Sequence, residues 1–235
     1  MKKNCQLQSE KEDLLKKHLT FWEKLSEQEK RFFVEQSNII KCPKGILISG
    51  GSNDCKGMVI VKTGVVRAFM TSPEGRQITL YRLYPGEVCV LSASCLLEMI
   101  TFDVQVDVQT DCELVTISNA AFLSVSNQNV YVENFSYKVA TERFSDVMWT
   151  MQQILFMSFD KRLAVFLLDE IAKTDNDVLK LTHEQIASFM GSAREVVTRM
   201  LKYFANEGIV ELSRGSVKIL DKFKLRELSL SITHH

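Results

Sequence analysis

The chain has 235 residues, of which 46% are hydrophobic and 25% are charged, a composition typical of globular proteins with one large or two modest domains. This composition excludes disordered chains, collagen and coiled-coil rods. Lys and Arg total 29, Asp and Glu total 29, and the formal net charge is zero. Bulk charge therefore gives no argument for nucleic acid or for an anionic membrane, so a nucleic-acid partner must be inferred from local charge.

We expect neither a membrane span nor a signal peptide. The longest run without charge, 114–132, is rich in Ser, Asn, Gln and Thr, and the first five residues continue into Lys and Glu. The six cysteines form no C-x-x-C pair and are too sparse for a disulfide scaffold, which favours reduced thiols in the cytoplasm. The sequence has no close cluster of Cys and His, so we expect no zinc site.

The first forty residues have the pattern of helices. Apolar residues recur there at helical spacing, namely Leu14, Leu15, Leu19, Trp22 and Leu25. Ser26 and Glu29 form a capping-box pattern that predicts a second helix through Phe33. These helices are predicted to serve packing.

Short β-rich runs separated by Gly and Pro follow over 44–117. Strands are predicted at 59–61, 65–70 and 78–83, with turns at 62–64 and 73–75. Many short strands at this spacing predict a compact antiparallel roll or barrel.

A single long helix is predicted over 129–157. A helix of about 28 residues is about 40 Å long, which exceeds what a small roll can cover. The apolar stripe left uncovered predicts a dimer seam, although a helix folded back on its own domain is the alternative. The candidate seam residues are Phe135, Val139, Phe144, Met148, Met151 and Leu155.

A helix-turn-helix pattern follows a further predicted helix at 159–174. Thr182 and Gln185 match a capping box that opens a short helix, and Gly191 ends it by adopting a left-handed conformation. Ser192, with Glu195 three residues later, is predicted to cap the next helix. Two helices joined by a tight turn with Gly are typical of DNA-binding modules.

The second helix of this pattern divides into a buried face and a polar face. Val197, Met200, Leu201 and Phe204 are predicted to be buried. The opposite face carries Arg194, Glu195, Thr198, Arg199 and Lys202. Arg can bond to O6 and N7 of guanine, Glu can accept from the amine of cytosine, and Thr offers a hydroxyl and a methyl group. This face is suited to the DNA major groove.

A wing is predicted after the second helix. Gly208 ends that helix, and 209–212 and 216–220 form two strands around a turn in which Arg214 could reach a phosphate. From Gly191 onward there are eight basic and five acidic residues, which agrees weakly with DNA binding. The alternative is that Glu195 and Arg199 form only a surface ion pair.

Along nearly its whole length the chain resembles transcription regulators of the Crp/Fnr superfamily. The more specific match is the stretch SAREVVTRMLKYFANEGIVEL, which resembles the DNA-reading helix and wing of that family. The turns that resemble the β-roll of the family are, in order, Lys44–Gly45, Gly50–Gly51, Lys62–Gly64, Glu74–Arg76 and Tyr84–Gly86.

The resemblance implies an α+β chain in three parts. These are an effector-sensing antiparallel β-roll with amino-terminal helices over 1–127, a long dimerisation helix over 128–157, and a winged helix-turn-helix over 158–235. It also implies a cytoplasmic homodimer that binds double-stranded DNA, acts with RNA polymerase, and changes the presentation of its recognition helices when an effector binds.

The resemblance also implies which residues read DNA. Arg194, Glu195 and Arg199 fall on the base-reading positions of the cyclic-AMP-responsive branch. Glu195, Thr198 and Arg199 fall on those of the oxygen- and nitrogen-responsive branch, where Thr198 replaces a serine. Both assignments imply a palindrome with a TGA core, and the candidate DNA-binding set is Ser192, Arg194, Glu195, Thr198, Arg199, Lys202 and Arg214.

The effector is not identified by the sequence. The Gly-Glu and Arg-Ser or Arg-Thr pairs that hold cyclic nucleotides in the family align with Val90–Leu91 and Phe102–Asp103, and Asp103 would repel a phosphate, so we expect no response to cyclic AMP through that pocket. Cys5 stands alone near the start, which argues against an iron-sulfur cluster. The candidate pocket residues are Val88, Cys89, Val90, Leu91, Cys95 and Phe102.

Several sensing chemistries remain open. A free small molecule in an apolar pocket lined from Val88 to Leu97 is the default, while Cys89 and Cys95 are candidates either for redox sensing or for inert buried thiols. Haem bound through His18 or a cysteine is a further alternative. Rival functions are a sensing module without sequence-specific DNA binding, and an enzyme, for which no catalytic residue set can be assembled.

Overall fold

The computed structural model describes residues 2–49, 57–89 and 104–230, with side chains from residue 7 onward. Its helices are α1 (Lys2–His18), α2 (Glu27–Gln36), α3 (Asn119–Ser126), α4 (Val130–Phe156), α5 (Phe159–Thr174), α6 (His183–Met190), α7 (Arg194–Asn206) and α8 (Lys222–Leu230). Its strands are β1 (Ser37–Cys42), β2 (Leu47–Ser49), β3 (Met58–Thr63), β4 (Val66–Thr71), β5 (Gln77–Leu83), β6 (Val88–Cys89), β7 (Gln105–Val108), β8 (Cys112–Ile117), β9 (Val178–Leu179), β10 (Val210–Ser213) and β11 (Ser216–Ile219).

The chain divides into two compact units. The first comprises Met1–Met70 and Leu80–Val147, and the second comprises Thr71–Thr79 and Met148–His235. Together they form the predicted α+β fold, with an amino-terminal antiparallel roll and a carboxy-terminal winged helix-turn-helix. In the described part of the chain, no helix is both long and apolar enough to cross a membrane.

Two four-stranded sheets form the roll, with strand orders β1-β8-β3-β6 and β2-β7-β4-β5. Every pairing recorded between their described strands is antiparallel, and β8 pairs with both β1 and β3. The predicted strands at 59–61, 65–70 and 78–83 correspond to β3, β4 and β5. Alternating side chains of β8 enter two different apolar clusters, so the roll is packed on both faces of that strand.

The amino-terminal residues form helices, as the sequence predicts, and these helices pack against the roll. The capping box is present, because Ser26 Oγ accepts from the Glu29 amide and the Glu29 carboxylate accepts from the Ser26 amide. Trp22 lies in a short 3₁₀ turn rather than in a continuous helix. Phe21, Phe33 and Phe135 pack in the same apolar cluster.

The long helix α4 begins and ends one residue inside its predicted bounds. The prediction was wrong for two of the six seam residues: Phe135 and Val139 are buried in the core of their own unit, in the apolar cluster that also contains Leu15 and Phe33 of the amino-terminal helices. The alternative of a helix folded back on its own domain therefore holds for this stretch. Phe144, Met148, Met151 and Leu155 are exposed.

Within the second unit, α5 to α8 and a three-stranded sheet of order β10-β11-β9 enclose one apolar cluster. Strand β9, which pairs with β11, and the final helix α8 were not predicted. Both contribute buried leucines to that cluster, Leu179 and Leu225. The wing is thus the outer part of a small sheet rather than an isolated hairpin.

Candidate nucleic-acid interface

Helix α6 begins and ends as its sequence predicts. Thr182 Oγ1 accepts from the Gln185 amide at 3.2 Å, and the Gln185 side chain accepts from the Thr182 amide at 2.9 Å. Gly191 has φ of 60° and ψ of 40°, the left-handed conformation that favours glycine at a helix end. These two features fix where the helix-turn-helix starts and turns.

A residue that sequence reasoning missed stabilises the end of α6. The Arg162 guanidinium on α5 donates to the Met190 carbonyl, one of the last carbonyls of the helix. Burial lowers the pKa of Arg162 from its ordinary value. The only sequence signal is a basic residue in the first turn of α5, and its partner could not be inferred from spacing.

The start of α7 differs from the prediction. Ser192 is not its N-cap: Ala193 holds that position, with φ of −79°, ψ of 145° and no side-chain cap hydrogen bond. The Ser192 amide instead donates to the Ala187 carbonyl, so Ser192 belongs to the turn that closes α6. The predicted capping box of Ser192 and Glu195 is therefore wrong.

The buried side of α7 matches its apolar pattern. Val197, Leu201 and Phe204 are fully buried, and Met200 is partly buried against the same cluster. Because residues three and four apart share one helix face, this burial fixes which residues face outward.

On the outward face lie the predicted DNA-reading residues. Arg194, Glu195, Arg199 and Lys202 are exposed, and Thr198 is half-buried among them. Within the described residues no ion pair joins Glu195 to Arg199, so the interpretation of these two as a surface ion pair finds no contact to support it. The four charged groups are available to a ligand.

Two further residues extend this face. Tyr203 and Asn206 line the same shallow groove as Arg194, Glu195, Thr198, Arg199 and Lys202. Both follow predicted residues by four positions, Tyr203 after Arg199 and Asn206 after Lys202, so helical spacing could have identified them.

The wing presents Arg214 at its tip. Strands β10 and β11 pair in register from Val210 with Ile219 to Ser213 with Ser216, which leaves Arg214 and Gly215 as the turn. Arg214 is exposed, and Gly215 has φ of 74°. A basic side chain at the tip of a hairpin is suited to a phosphate contact.

His183 also contacts this face, although it was not predicted as a site residue. Its Nδ1 lies 2.9 Å from Thr198 Oγ1, a hydrogen bond in which either atom can be the donor. Burial is the main cause that lowers the pKa of His183, and the nearby charges of Arg194 and Lys202 lower it further.

Comparison with known proteins identifies both units. Residues 41–129 match a model of the cyclic nucleotide-binding domain, and residues 161–228 match a model of the Crp-like helix-turn-helix domain. A solved structure from Eubacterium rectale, assigned to the Crp/Fnr family of transcriptional regulators, is 41% identical with a TM-score of 0.88, and the match covers 91% of this chain and 99% of that chain. The chain belongs to the Crp/Fnr family.

Two more distant proteins are also similar to this chain. The cyclic AMP receptor protein of Thermus thermophilus is 24% identical over 177 residues, which cover 75% of this chain and 81% of that protein. FixK2 of Bradyrhizobium japonicum has a TM-score of 0.66 at 16% identity, covers 84% of this chain and 99% of that chain, and shares the fold. With the matched Crp-like helix-turn-helix domain and its likeness to the Eubacterium rectale regulator, this Crp/Fnr protein is a DNA-binding transcriptional regulator.

Part of the expected effector pocket of this Crp/Fnr regulator lies among the described residues. Val88 and Cys89 form β6 and are buried, and Cys89 Sγ lies 4.0 Å from the hydroxyl of Tyr81. Burial raises the pKa of Tyr81 well above its ordinary value. The other four candidate pocket residues, and Asp103 with them, lie outside the described residues; the four are Val90, Leu91, Cys95 and Phe102.

The haem candidate His18 lies at the end of α1, beside the turn at Gly86. A Cβ placed on Gly86 would lie 3.2 Å from a carbon of the His18 ring. Burial and the charge of Lys17 lower the pKa of His18, while a hydrogen bond with the Gly86 backbone acts in the opposite direction. His18 is thus already packed against the roll.

Proposed function

We propose that this protein acts as a homodimer that reads a TGA-containing palindrome through its two copies of α7. One observation carries the proposal: the exposed face of α7 presents two guanidinium groups and a carboxylate within its first two turns, without ion pairs among the described residues to occupy them. A recognition helix contacts base edges through its amino-terminal residues.

Each residue of this face has a role in the proposal. Arg199 bonds to guanine, Glu195 accepts from cytosine, and Thr198 contacts a neighbouring base. Arg194 contacts a base or a phosphate near the start of the helix, whereas Lys202 and Arg214 contact phosphates. Ser192 takes part through its backbone in the turn before α7 rather than as a helix cap.

The dimer seam in the proposal is the exposed stripe of α4. The spacings along this stripe are four, three and four residues, which is the a/d pattern of a coiled coil. Its members are Phe144, Met148, Met151 and Leu155. Phe144 is 63% exposed and Leu155 is 66% exposed. A contiguous exposed apolar surface of this kind is typical of an interaction site, unlike isolated apolar side chains. A second copy of α4 is the simplest cover for such a stripe.

The effector in the proposal is a small, mostly apolar molecule held in the roll beside Val88 and Cys89, and it is not cyclic AMP. The proposal depends on the sequence at 102–103, because Phe102 stands where the family places an Arg and cannot pair with a phosphate, while the charge of Asp103 beside it would repel one. Isothermal calorimetry with cyclic AMP is expected to give no heat of binding. Micromolar binding of cyclic AMP at the roll would contradict this part. RNA polymerase is the expected partner at promoters.

Selection of bound sequences from random double-stranded DNA tests the proposal. We expect a two-fold symmetric site such as TTGA or GTGA with its complement, whose half-site centres are about 10 to 11 base pairs apart. Arg199→Ala should cost about 1–3 kcal/mol of binding free energy and relax the preference at one guanine. Arg214→Ala should weaken binding to all DNA sequences alike and reduce the slope of log affinity against log salt by about one.

Arg226→Ala is the matched control, because Arg226 is an exposed basic residue on α8 rather than on the recognition helix. It should leave both the affinity and the preferred sequence unchanged. A selected pool without two-fold symmetry, or binding without salt dependence, would contradict the proposal and favour a sensing module without DNA specificity.

A further inference from the structure

His183 is held in place by the cap of α6. It is the first residue of that helix, directly after Thr182, whose hydroxyl and amide are both engaged by Gln185. The ring is half-buried, and its Nδ1 is 2.9 Å from Thr198 Oγ1 on α7. The hydrogen bond therefore joins a fixed position on the first helix to the outward face of the second.

This contact restricts what the Thr198 side chain can do. A threonine in a helix ordinarily divides between two χ1 rotamers, because its hydroxyl can also bond to a carbonyl of the preceding turn. A hydrogen bond to His183 selects the rotamer that directs Oγ1 toward the ring. The direction of the methyl group is then fixed as well.

The hydroxyl proton is also directed by this contact. If Nδ1 carries a proton, the Thr198 hydroxyl accepts from it and can donate to a base-edge acceptor such as N7 of a purine. If Nδ1 is bare, the hydroxyl donates to the ring and offers only lone pairs, which suit the exocyclic amine of adenine or cytosine. A ring that accepts thus takes the only proton of the hydroxyl, whereas a ring that donates leaves Thr198 its proton and one lone pair.

We propose that His183 is a positioning residue that sets the base preference of Thr198 through the Nδ1 to Oγ1 hydrogen bond. The inference rests on the proposed function, since it requires that α7 reads base edges. It assigns specificity to a side chain on the first helix that need not touch a base.

Four single variants and one double variant of the full chain test this role by quantitative binding to all four bases at each half-site position. His183→Ala should reduce the discrimination at a single position by about fivefold, the equivalent of one hydrogen bond. His183→Asn can place an amide atom near the position of Nδ1 and should restore the preference. His183→Gln places its amide farther out, near Nε2, and should not.

Thr198→Val completes the test. It should lose discrimination at the same half-site position as His183→Ala, and the double variant should lose no more than either single variant, because both remove one shared contact. Circular dichroism and thermal unfolding check that each variant is folded. The restored preference of His183→Asn is the result that a purely structural role of the ring would not produce.

Two results would overturn the inference. If His183→Ala weakens binding to every DNA sequence by the same factor and leaves base preferences unchanged, His183 contributes to affinity through a phosphate contact or through packing. The proposed function would then still stand. If the unaltered protein selects no palindrome at all, the proposed function fails, and the inference fails with it.

Discussion

The ion pair of Arg67 and Asp107 lies across β4 and β7 of the roll, where the Arg67 residue is only 4% exposed. Arg67 Nε donates to Asp107 Oδ1 at 3.1 Å, and Gln109 also donates to that carboxylate. Because this carboxylate pairs with a buried guanidinium group, Asp107→Ala is expected to lower the free energy of unfolding by about 3 kcal/mol. Urea unfolding measures this change.

Lys16→Ala is the matched control for this residue-scale prediction. Lys16 pairs with Glu23 at 3.3 Å in the same unit, but both side chains are more than 60% exposed. An exposed pair contributes about 0–1 kcal/mol, so the unfolding midpoint should hardly move. Equal losses in the two variants would show that burial does not determine the strength of these ion pairs.

Single residues were predicted well only where a local rule applies. Gln185 and Glu29 were identified because a capping box needs only three residues of spacing. The same rule was wrong at Ser192, because the turn after Gly191 places Ala193 at the helix start. The contact of His183 with α7 joins residues fifteen apart, and no periodicity in the sequence predicts it.

At the scale of elements, two glycine turns of the roll allow the cost of a left-handed backbone conformation to be measured apart from the cost of steric crowding. Gly45 and Gly64 have nearly equal φ values of 87° and 85°, but a Cβ would meet no atom within 4 Å at Gly45 and would lie 2.4 Å from Cys112 Sγ at Gly64. Gly45→Ala is therefore expected to cost about 1–2 kcal/mol, from the left-handed conformation alone.

Gly64→Ala should cost about 1–3 kcal/mol more than Gly45→Ala, because the strands must move to admit the methyl group. Chemical denaturation of the two variants, compared with the unaltered protein, gives both numbers. Equal destabilisation would mean that β8 can shift freely at Cys112.

The two helices of the helix-turn-helix begin differently, and their caps predict opposite changes in stability. Thr182→Ala removes the side-chain cap of α6 and should lower the free energy of unfolding by about 1 kcal/mol. Ala193→Ser supplies a hydroxyl at the uncapped start of α7 and should raise it by about 1 kcal/mol. Thermal unfolding of the single variants and of the double variant, in which the effects should nearly cancel, checks both signs.

Elements whose apolar stripe extends over several turns were predicted closely, whereas short elements were missed. Helix α5 has its predicted bounds, because its stripe extends over four turns. Strand β9 has two residues, and α8 places only Leu225 and Leu228 against the core, so neither has a period that can be recognised. Their formation depends on neighbours distant in sequence, β11 for the strand and α5 for the helix.

For the whole molecule, the exposed stripe of α4 predicts the oligomeric state. Phe144→Glu and Leu155→Glu each place two carboxylates close together in the proposed seam, so we expect both variants to sediment as the 26.9 kDa chain and the unaltered protein at twice that mass. Glu142→Lys changes an exposed charge away from the stripe and should leave the dimer intact. A monomeric unaltered protein at micromolar concentration would contradict the proposed dimer.

Two sides of α4 have different surroundings. Phe135 and Val139 are buried in the core on one side, and the exposed stripe begins on another side a few residues later. One added residue would turn everything after it by about 100°, so that a side chain meant for one side would point toward neither. An addition of a whole heptad would preserve both alignments. Natural variation in the length of this helix should therefore occur in discrete steps, and deletion of a single residue near its middle should be more harmful than most substitutions there.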